Sequence, residues 1–127
     1  MTKRPVVLVV DDEQDVLDTT AFVIEGSGVY DVIALTSFDR AAAHLAEAGS
    51  IDVLVSDYRL RGARSGLELC EIAVGLSPYI GIVLISAEQP EEVEPRPRRA
   101  VFLRKPFGVS DLLQAVEAAL RAAPAIS

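Results

Sequence analysis

The sequence is short of cysteine, of net positive charge and of long hydrophobic runs, and each shortage excludes a class of protein. Its one cysteine, Cys70, cannot form an internal disulfide, and the apolar residues around it predict a small buried side chain. This cysteine usage fits a reducing cytoplasm, which is the location we expect. A formal charge of -7 disfavours direct binding to nucleic acid, because proteins that bind a phosphate backbone are usually basic.

The longest aliphatic run near the N-terminus is Val6 to Val10, and acidic residues follow it at once. It is far too short for the apolar region of a signal peptide or for a membrane span, so we expect neither. The chain does have 127 residues, of which 50% are hydrophobic and 24% charged. These values are typical of one globular domain, which we expect to occupy residues 1–127, with a core from about residue 6 to residue 121.

Strand-like and helix-like segments alternate five times along the chain, which predicts a single α/β unit with a parallel sheet. Val53 to Val55 form a continuous apolar run, which is typical of a strand covered on both faces. The predicted strands cover residues 6–10, 30–35, 51–58, 80–85 and 100–103. The predicted helices start after the acidic turn at 11–13, at a capping box of Thr36 and Asp39, near Gly66 and at Ser110, and Gly49 ends the second of them.

The segment from Glu88 to Arg99 interrupts this alternation. It contains Pro90, Pro95 and Pro97, so at most a short helix begun at Pro90 fits before Pro95 stops it. The helix between the fourth and fifth strands is therefore expected to be short or disrupted. The acidic residues of the segment precede its basic ones, a pattern typical either of a solvated loop with weak local ion pairs or of a loop that recognises a partner.

Polar side chains follow or end four of the predicted strands. Asp11 and Asp12 follow the first, Asp57 ends the third, Ser86 follows the fourth and Lys105 follows the fifth. Because parallel sheets bind ligands at the carboxyl ends of their strands, we expect these residues to meet at one rim. Three carboxylates within roughly 5 Å repel by about 3 kcal/mol per pair at an effective dielectric near 20, and so need a cation.

Mg²⁺ suits such a rim, because it accepts a few carboxylates and keeps positions open for water or phosphate. An aspartate held beside this ion, opposite a lysine and a hydroxyl, can attack an activated phosphoryl group. Taken singly, the same residues have ordinary explanations: acids favour a helix N-terminus, Ser86 suits a turn, and Lys105 suits the surface. Asp57 is harder to explain, since an acid at the end of an apolar strand costs stability unless it is solvated or paired.

With these residues identified, the sequence resembles the receiver (phosphoacceptor) domain of two-component response regulators, the CheY-like family. The matching motifs are VDD at 10–12, VSDYRL at 55–60, Ser86 with Ala87, and FLRKPF at 102–107, in the family's order and at similar spacing from about Val6 to Arg121. The resemblance implies a doubly wound, flavodoxin-like (βα)5 fold with a five-stranded parallel sheet.

The resemblance also implies a phosphorylation site. Asp57 would accept a phosphoryl group from a phosphohistidine of a sensor histidine kinase or a histidine phosphotransfer protein. Asp12 and Asp57 would bind Mg²⁺ together with the backbone carbonyl of Arg59, and Asp11 would act through a bound water.

Three further residues acquire roles from the resemblance. Lys105 would pair with the phosphoryl group, and its bond to Pro106 is expected to be cis. Ser86 and Phe102 would form a switch pair, in which the hydroxyl moves toward the phosphate and the aromatic ring fills the vacated space.

The implied function is that of a stand-alone receiver, which signals to a downstream protein partner and is not an enzyme beyond its own phosphotransfer and dephosphorylation. A receiver fragment of a longer regulator or hybrid kinase is an alternative. So is a Mg²⁺-dependent phosphohydrolase with an aspartyl nucleophile, although Arg59 stands where its second acid is expected and no cap insertion is present. A third alternative is a receiver-like scaffold that is never phosphorylated.

The sequence departs from the family just after Asp57. Arg61 stands where a proline is frequent, and Gly66 comes one residue late. Arg59 and Glu88 occupy the two positions whose side chains flank the phosphoryl group in the family. We hypothesise that an ion pair between these two residues screens the acyl phosphate from water.

Overall fold

In the computed structural model, residues 4–48, 51–60, 65–88 and 100–122 are described. Five strands form one parallel sheet: β1 (Val6–Val10), β2 (Asp31–Leu35), β3 (Val53–Asp57), β4 (Gly81–Ser86) and β5 (Val101–Arg104). The helices of these ranges are α1 (Gln14–Gly26), α2 (Phe38–Ala48), α3 (Gly66–Leu76) and α4 (Val109–Ala122). The predicted α/β fold with a five-stranded parallel sheet is confirmed.

The strand order is β2-β1-β3-β4-β5. The chain leaves β1 toward one edge of the sheet to form β2, and then crosses over β1 to form β3 on the other side. The direction of winding therefore reverses between β1 and β3, and in open parallel sheets such a reversal leaves a crevice at the carboxyl ends of the two strands.

Two apolar clusters, one on each face of the sheet, form the core. Every residue of β1, β3 and β4 is buried, as expected for strands covered on both sides. Leu54 packs with residues of α2 and α3, whereas Val53 and Val55 pack with residues of α1 and α4. Cys70 lies in the first cluster, where burial raises the pKa of its thiol to about 12, which confirms the prediction of a buried side chain.

Two predicted helix starts are wrong. Ser37, and not Thr36, caps α2: its hydroxyl accepts the N–H of Arg40 at 3.2 Å, and the helix begins at Phe38. This helical phase buries Phe38 and Ala41 in the core, and it leaves Thr36 one position too early to cap.

The last helix begins at Val109, so Ser110 lies inside it and not at its cap. The carbonyl of Gly108 accepts the N–H of Leu112 at 3.1 Å, and the carboxylate of Asp111 accepts the N–H of Gly108 at 3.2 Å. Asp111 thus supplies the returning half of a capping box, which satisfies the backbone N–H at the cap without a capping hydroxyl.

Three other predictions fall on residues outside the described ranges. They are the short or disrupted helix within 89–99, the helix end at Gly49 and the role of Arg61 in the loop after β3. Among the helices of the described residues, none is both long and apolar enough to cross a membrane.

Candidate functional site

The carboxyl ends of β1, β3, β4 and β5 meet at one edge of the sheet and carry the predicted site residues. Asp11 and Asp12 follow β1, Asp57 ends β3, Ser86 ends β4 and Lys105 follows β5. All of these except Asp11 line one cavity of about 230 Å³, together with Glu13, Arg59, Ala87 and Glu88. Asp11 joins the group through its carboxylate, as described below.

Backbone hydrogen bonds hold the strand ends in place beyond the sheet itself. The N–H of Tyr58 donates to the carbonyl of Ile85 at 2.7 Å, and the N–H of Lys105 donates to the carbonyl of Ser86 at 2.9 Å. The peptide bond between Lys105 and Pro106 is cis, as expected. The segments that carry the acid, the hydroxyl and the amine are therefore fixed relative to one another by their main chains.

Asp57 and Lys105 form an ion pair within this rim. The Nζ atom of Lys105 lies 3.1 Å from the Oδ1 atom of Asp57, and only 10% of the Asp57 side chain is exposed. Burial raises the pKa of Asp57 to about 6, and Lys105 opposes part of that rise. Burial lowers the pKa of Lys105, but the carboxylates of Asp57, Asp11 and Glu13 together more than compensate, so the pKa of Lys105 lies above its ordinary value.

Three aspartates form an acidic cluster around Asp57. One carboxylate oxygen from each of Asp11, Asp12 and Asp57 lies within 4.8 Å of the other two. Asp11 is buried, and its Oδ1 atom accepts the N–H of Glu13 at 2.9 Å. Burial is the main cause that raises the pKa of Asp11.

This donor set fits a hard divalent cation. It offers only oxygen ligands, it carries up to three negative charges in a small volume, and Lys105 is the only cation that the described structure pairs with Asp57. Mg²⁺ is bound in proteins by one or two carboxylates and several waters. Asp11, Asp12 and Asp57 are the residues that could hold it. The carbonyl of Arg59, two residues beyond the end of β3, is the predicted backbone ligand.

Ser86 and Phe102 lie on the same face of the sheet. Phe102 pairs with Leu84, and Ser86 follows Leu84 by two residues along β4, so both side chains point toward the α2 and α3 side. The Ser86 side chain is buried, whereas the Phe102 ring is partly buried against the core cluster. The ring of Phe102 is therefore a diagonal neighbour of the Ser86 hydroxyl across β4 and β5.

Glu88 connects two of the predicted residues. One oxygen of its carboxylate accepts a hydrogen bond from the guanidinium of Arg59, and the other accepts one from the hydroxyl of Ser86. The contact between Arg59 and Glu88 was predicted from the sequence and is confirmed. The hydrogen bonds from Ser86 and Arg59 hold the pKa of Glu88 below its ordinary value.

Sequence reasoning missed two parts of the site. The hydrogen bond from Ser86 to the Glu88 carboxylate was not predicted. The local signal, a serine oxygen that accepts the backbone N–H two residues on, indicates a turn but not the position of the Glu88 side chain. The close packing of Gly66 against Asp57 was also missed. A Cβ at Gly66 would lie 1.9 Å from the carbonyl oxygen of Asp57, so only glycine fits where α3 begins.

Comparison with known proteins agrees with this geometry. The profile of a family described as response regulator receiver domain matches residues 7–117. The chain is similar to the transcriptional regulatory protein FixJ of Azorhizobium caulinodans, with 33% identity over an alignment 117 residues long that covers 88% of this chain and 53% of that protein. The chain thus spans about half the length of this curated relative.

Solved structures share the fold. A response regulator receiver protein from Sinorhizobium medicae superposes with a TM-score of 0.87 at 26% identity, over 94% of this chain and 97% of that one. A CheY-like response regulator receiver domain protein from Methanospirillum hungatei superposes with a TM-score of 0.81 over 94% and 95% of the two chains. At 23% identity, this second likeness concerns the fold alone.

Proposed function

Because the chain belongs to the response regulator receiver domain family, we propose that Asp57 accepts a phosphoryl group from a phosphohistidine, with Mg²⁺ held beside it. The donor is a sensor histidine kinase or a histidine phosphotransfer protein. One observation carries the proposal: the carboxylate of Asp57 lies 3.1 Å from the amine of Lys105 and within 4.8 Å of the carboxylates of Asp11 and Asp12. This arrangement suits two ligands of opposite charge: a cation beside the three acids and an anionic phosphoryl group beside the amine of Lys105.

The transfer is a nucleophilic displacement at phosphorus. A carboxylate oxygen of Asp57 forms a bond to phosphorus while the bond from phosphorus to the histidine nitrogen breaks, and the electron pair of that bond leaves with the imidazole. Lys105 binds a phosphoryl oxygen and compensates its charge. Asp57 needs no base to activate it, because its ionised form is already nucleophilic above its pKa of about 6.

Asp11, Asp12, Asp57 and the Arg59 carbonyl are the ligands that we propose for Mg²⁺, with Asp11 acting through a water. When bound, the ion neutralises the acidic cluster and polarises the phosphoryl oxygens. Receiver domains in general bind Mg²⁺, and the oxygen-only donor set of this rim supports the same metal here.

The phosphoryl group then changes the packing around the switch pair. The Ser86 hydroxyl donates to a phosphoryl oxygen, and Phe102 turns into the space that the hydroxyl leaves, which shifts the population between two packings of one surface. Their common face and diagonal register support this role. The output is an interaction with a downstream protein partner.

Several coarser features complete the proposal. Receiver domains are signalling domains of two-component systems, and we propose that this chain acts on no substrate other than its own acyl phosphate. We propose a single domain over residues 1–127, located in the cytoplasm, that binds neither nucleic acid nor membrane directly. The net charge of -7 supports the absence of contacts to phosphate backbones.

The decisive experiment measures phosphorylation by intact mass. Incubation with Mg²⁺ and acetyl phosphate should add one phosphoryl group to the wild type and none to Asp57→Asn, because the amide cannot attack phosphorus. Asp39→Asn, at an exposed position on α2, is the matched control and should be phosphorylated like the wild type. An unmodified wild type, or a modified Asp57→Asn, would contradict the proposal.

A further inference from the structure

The Ser86 hydroxyl has one proton to donate, and in this structure that proton is committed to Glu88. The Ser86 side chain is 1% exposed, and its Oγ atom donates to the Oε2 atom of Glu88. The same Oγ atom accepts the backbone N–H of Glu88 at 2.9 Å. A serine hydroxyl has a single donor, so it cannot donate to a second oxygen until the contact with Glu88 breaks.

The two bonds between Ser86 and Glu88 have different meanings. A serine oxygen that accepts the N–H two residues on is a common local turn, and it needs no acidic side chain. The bond to the carboxylate is additional and requires the Glu88 side chain to fold back over the rim. Arg59 holds it there, because the guanidinium binds the Oε1 atom of the same carboxylate.

The folded-back carboxylate takes the kinds of donor that a phosphoryl group uses. Phosphoryl oxygens are bound by hydroxyls and by guanidinium or ammonium groups, and Glu88 has a hydroxyl on one oxygen and a guanidinium on the other. Glu88 also lines the cavity that contains Asp57 and Lys105. The Glu88 carboxylate is therefore an anion of the protein itself that lies in the same cavity as Asp57, where the phosphoryl group has to be attached.

We propose that Glu88 is a positioning residue that occupies the Ser86 hydroxyl in the unphosphorylated protein and so slows phosphorylation of Asp57. The inference rests on the proposed phosphorylation of Asp57. When the phosphoryl group arrives, the hydroxyl exchanges the Glu88 carboxylate for a phosphoryl oxygen, and only the contact between Glu88 and Arg59 remains. Phosphorylation thus competes with a side chain of the protein for one proton.

The competition predicts a dependence of one residue on the other. Glu88→Ala frees the Ser86 hydroxyl and should speed phosphorylation by acetyl phosphate about tenfold or more, the effect expected for one hydrogen bond to a charged group. In a Ser86→Ala background there is no hydroxyl to free, so the same substitution should change the rate little. The measurement is the rate of appearance of the phosphorylated mass in the wild type, the two single variants and the double variant, with Mg²⁺ present.

A second variant separates the hydroxyl from simple charge. Glu88→Gln removes the negative charge but keeps a side-chain oxygen that can accept from Ser86, so its gain in rate should be smaller than that of Glu88→Ala. Equal gains from Gln and Ala, or an equal gain in the Ser86→Ala background, would show that charge alone acts and would overturn the inference. The same holds if Glu88→Ala gives no gain while the wild type is phosphorylated.

The two proposals fail in different ways. A wild type that takes up no phosphoryl group removes the proposed function, and this inference with it. Thermal melting of each variant, followed by circular dichroism, checks that the substitutions leave the fold in place, which is expected because Glu88 lies two residues beyond the end of β4 and outside the core.

Discussion

At the scale of single residues, Arg59 is the exposed side chain that links Glu88 to the residues after β3. Its guanidinium binds Glu88 and lies over the ring of Tyr58, 5.9 Å from the ring centroid. The Arg59 side chain is 75% exposed, so this arrangement contributes little to stability. Arg59 does line the cavity that contains Asp57, and we hypothesise that its side chain limits the approach of water to an acyl phosphate on Asp57.

Replacing Arg59 by alanine should therefore shorten the life of the acyl phosphate. Water attacks phosphorus and breaks its bond to the Asp57 oxygen, and we expect this hydrolysis to accelerate up to about fivefold in Arg59→Ala, equivalent to about 1 kcal/mol of barrier. The rate is followed by loss of the phosphorylated mass after removal of the donor. Arg40→Ala, which removes an exposed guanidinium on α2, is the control, and an unchanged rate in Arg59→Ala would remove the screening role.

Residue contacts of this kind are only partly predictable from sequence. The pair of Arg59 and Glu88 could be predicted because the family resemblance brings both positions to the same part of the rim and the two residues carry opposite charge. The bond from Ser86 to Glu88 depends on the rotamer of one glutamate, and the sequence does not determine whether that side chain folds back or extends into water.

At the scale of elements, α3 shows how closely the site and the fold are connected. Ser65 caps the helix by accepting the N–H of Glu68 at 3.3 Å, and the N–H of Gly66 donates to the carbonyl of Tyr58 at 2.8 Å. The first residue of α3 thus lies directly on the end of β3. The absence of a side chain at Gly66 allows this contact, because any Cβ there would collide with the backbone of Asp57.

Two glycines of α3 should respond to alanine in opposite ways. Gly66→Ala forces the helix away from Asp57 and should lower the free energy of unfolding by about 2 kcal/mol or more. Gly75→Ala adds a Cβ that meets no atom within 4 Å, and better helix propensity should raise that free energy by up to about 1 kcal/mol. Urea denaturation measures both, and a change of the same sign in the two variants would contradict this account.

Elements were predictable where their pattern is long, and their ends were not. The continuous apolar runs and the helical periodicity predict all five strands and the four helices of the described residues. The observed caps, Ser37 and Gly108, differ from the predicted caps, Thr36 and Ser110, because the local sequence allows more than one cap position. The burial of Phe38 in the core determines where α2 starts, and the hydrogen bond from Gly108 to Asp111 determines where α4 starts. Neither contact can be predicted from the local sequence pattern.

At the scale of the whole molecule, the core offsets the cost of the rim. Because the strands are parallel, the acids at their carboxyl ends all lie at one edge of the sheet. Their negative charges are therefore close together and repel one another. The buried apolar clusters on both faces stabilise the fold against this local repulsion. Burial, with smaller contributions from the charges of Asp11 and Asp12, raises the pKa of Asp57, so the cost at the rim comes from desolvation more than from repulsion.

The stability of the protein should therefore fall as the pH rises through the pKa of Asp57. In the folded protein this pKa is about 6, above the unfolded value of about 3.9, so between these values the folded state binds the proton more tightly. The wild type should lose about 2 to 3 kcal/mol of unfolding free energy from pH 4 to pH 7 through this group. That loss should be missing in Asp57→Asn.

The measurement is urea denaturation across this pH range with EDTA present, so that no divalent cation binds the cluster. The stability difference between Asp57→Asn and the wild type should grow with pH, whatever its absolute value after Lys105 loses its partner. A difference that stays constant or shrinks from pH 4 to pH 7 would contradict the pKa of Asp57.

The architecture and the meeting of Asp11, Asp12, Asp57, Ser86 and Lys105 were predictable, because the strands run parallel and each ends in one of these residues or just before it. The order of the strands was predictable only through the family resemblance. Alternation along the chain shows that strands are parallel, but nothing in it shows on which side of β1 the next strand is added.

The backbone hydrogen bonds that join Tyr58 to Ile85 of β4 and Lys105 to Ser86 have a consequence for timing. Since hydrogen bonds fix the main chain of the rim, we propose that the response to phosphorylation of Asp57 begins as a rotation about the Cα–Cβ bond of Ser86. Rotations of this kind are much faster than the making of a bond to phosphorus. If Asp57 is phosphorylated as proposed, the chemistry of phosphoryl transfer sets the pace of the response, and the change at Ser86 follows each transfer almost as soon as it is complete.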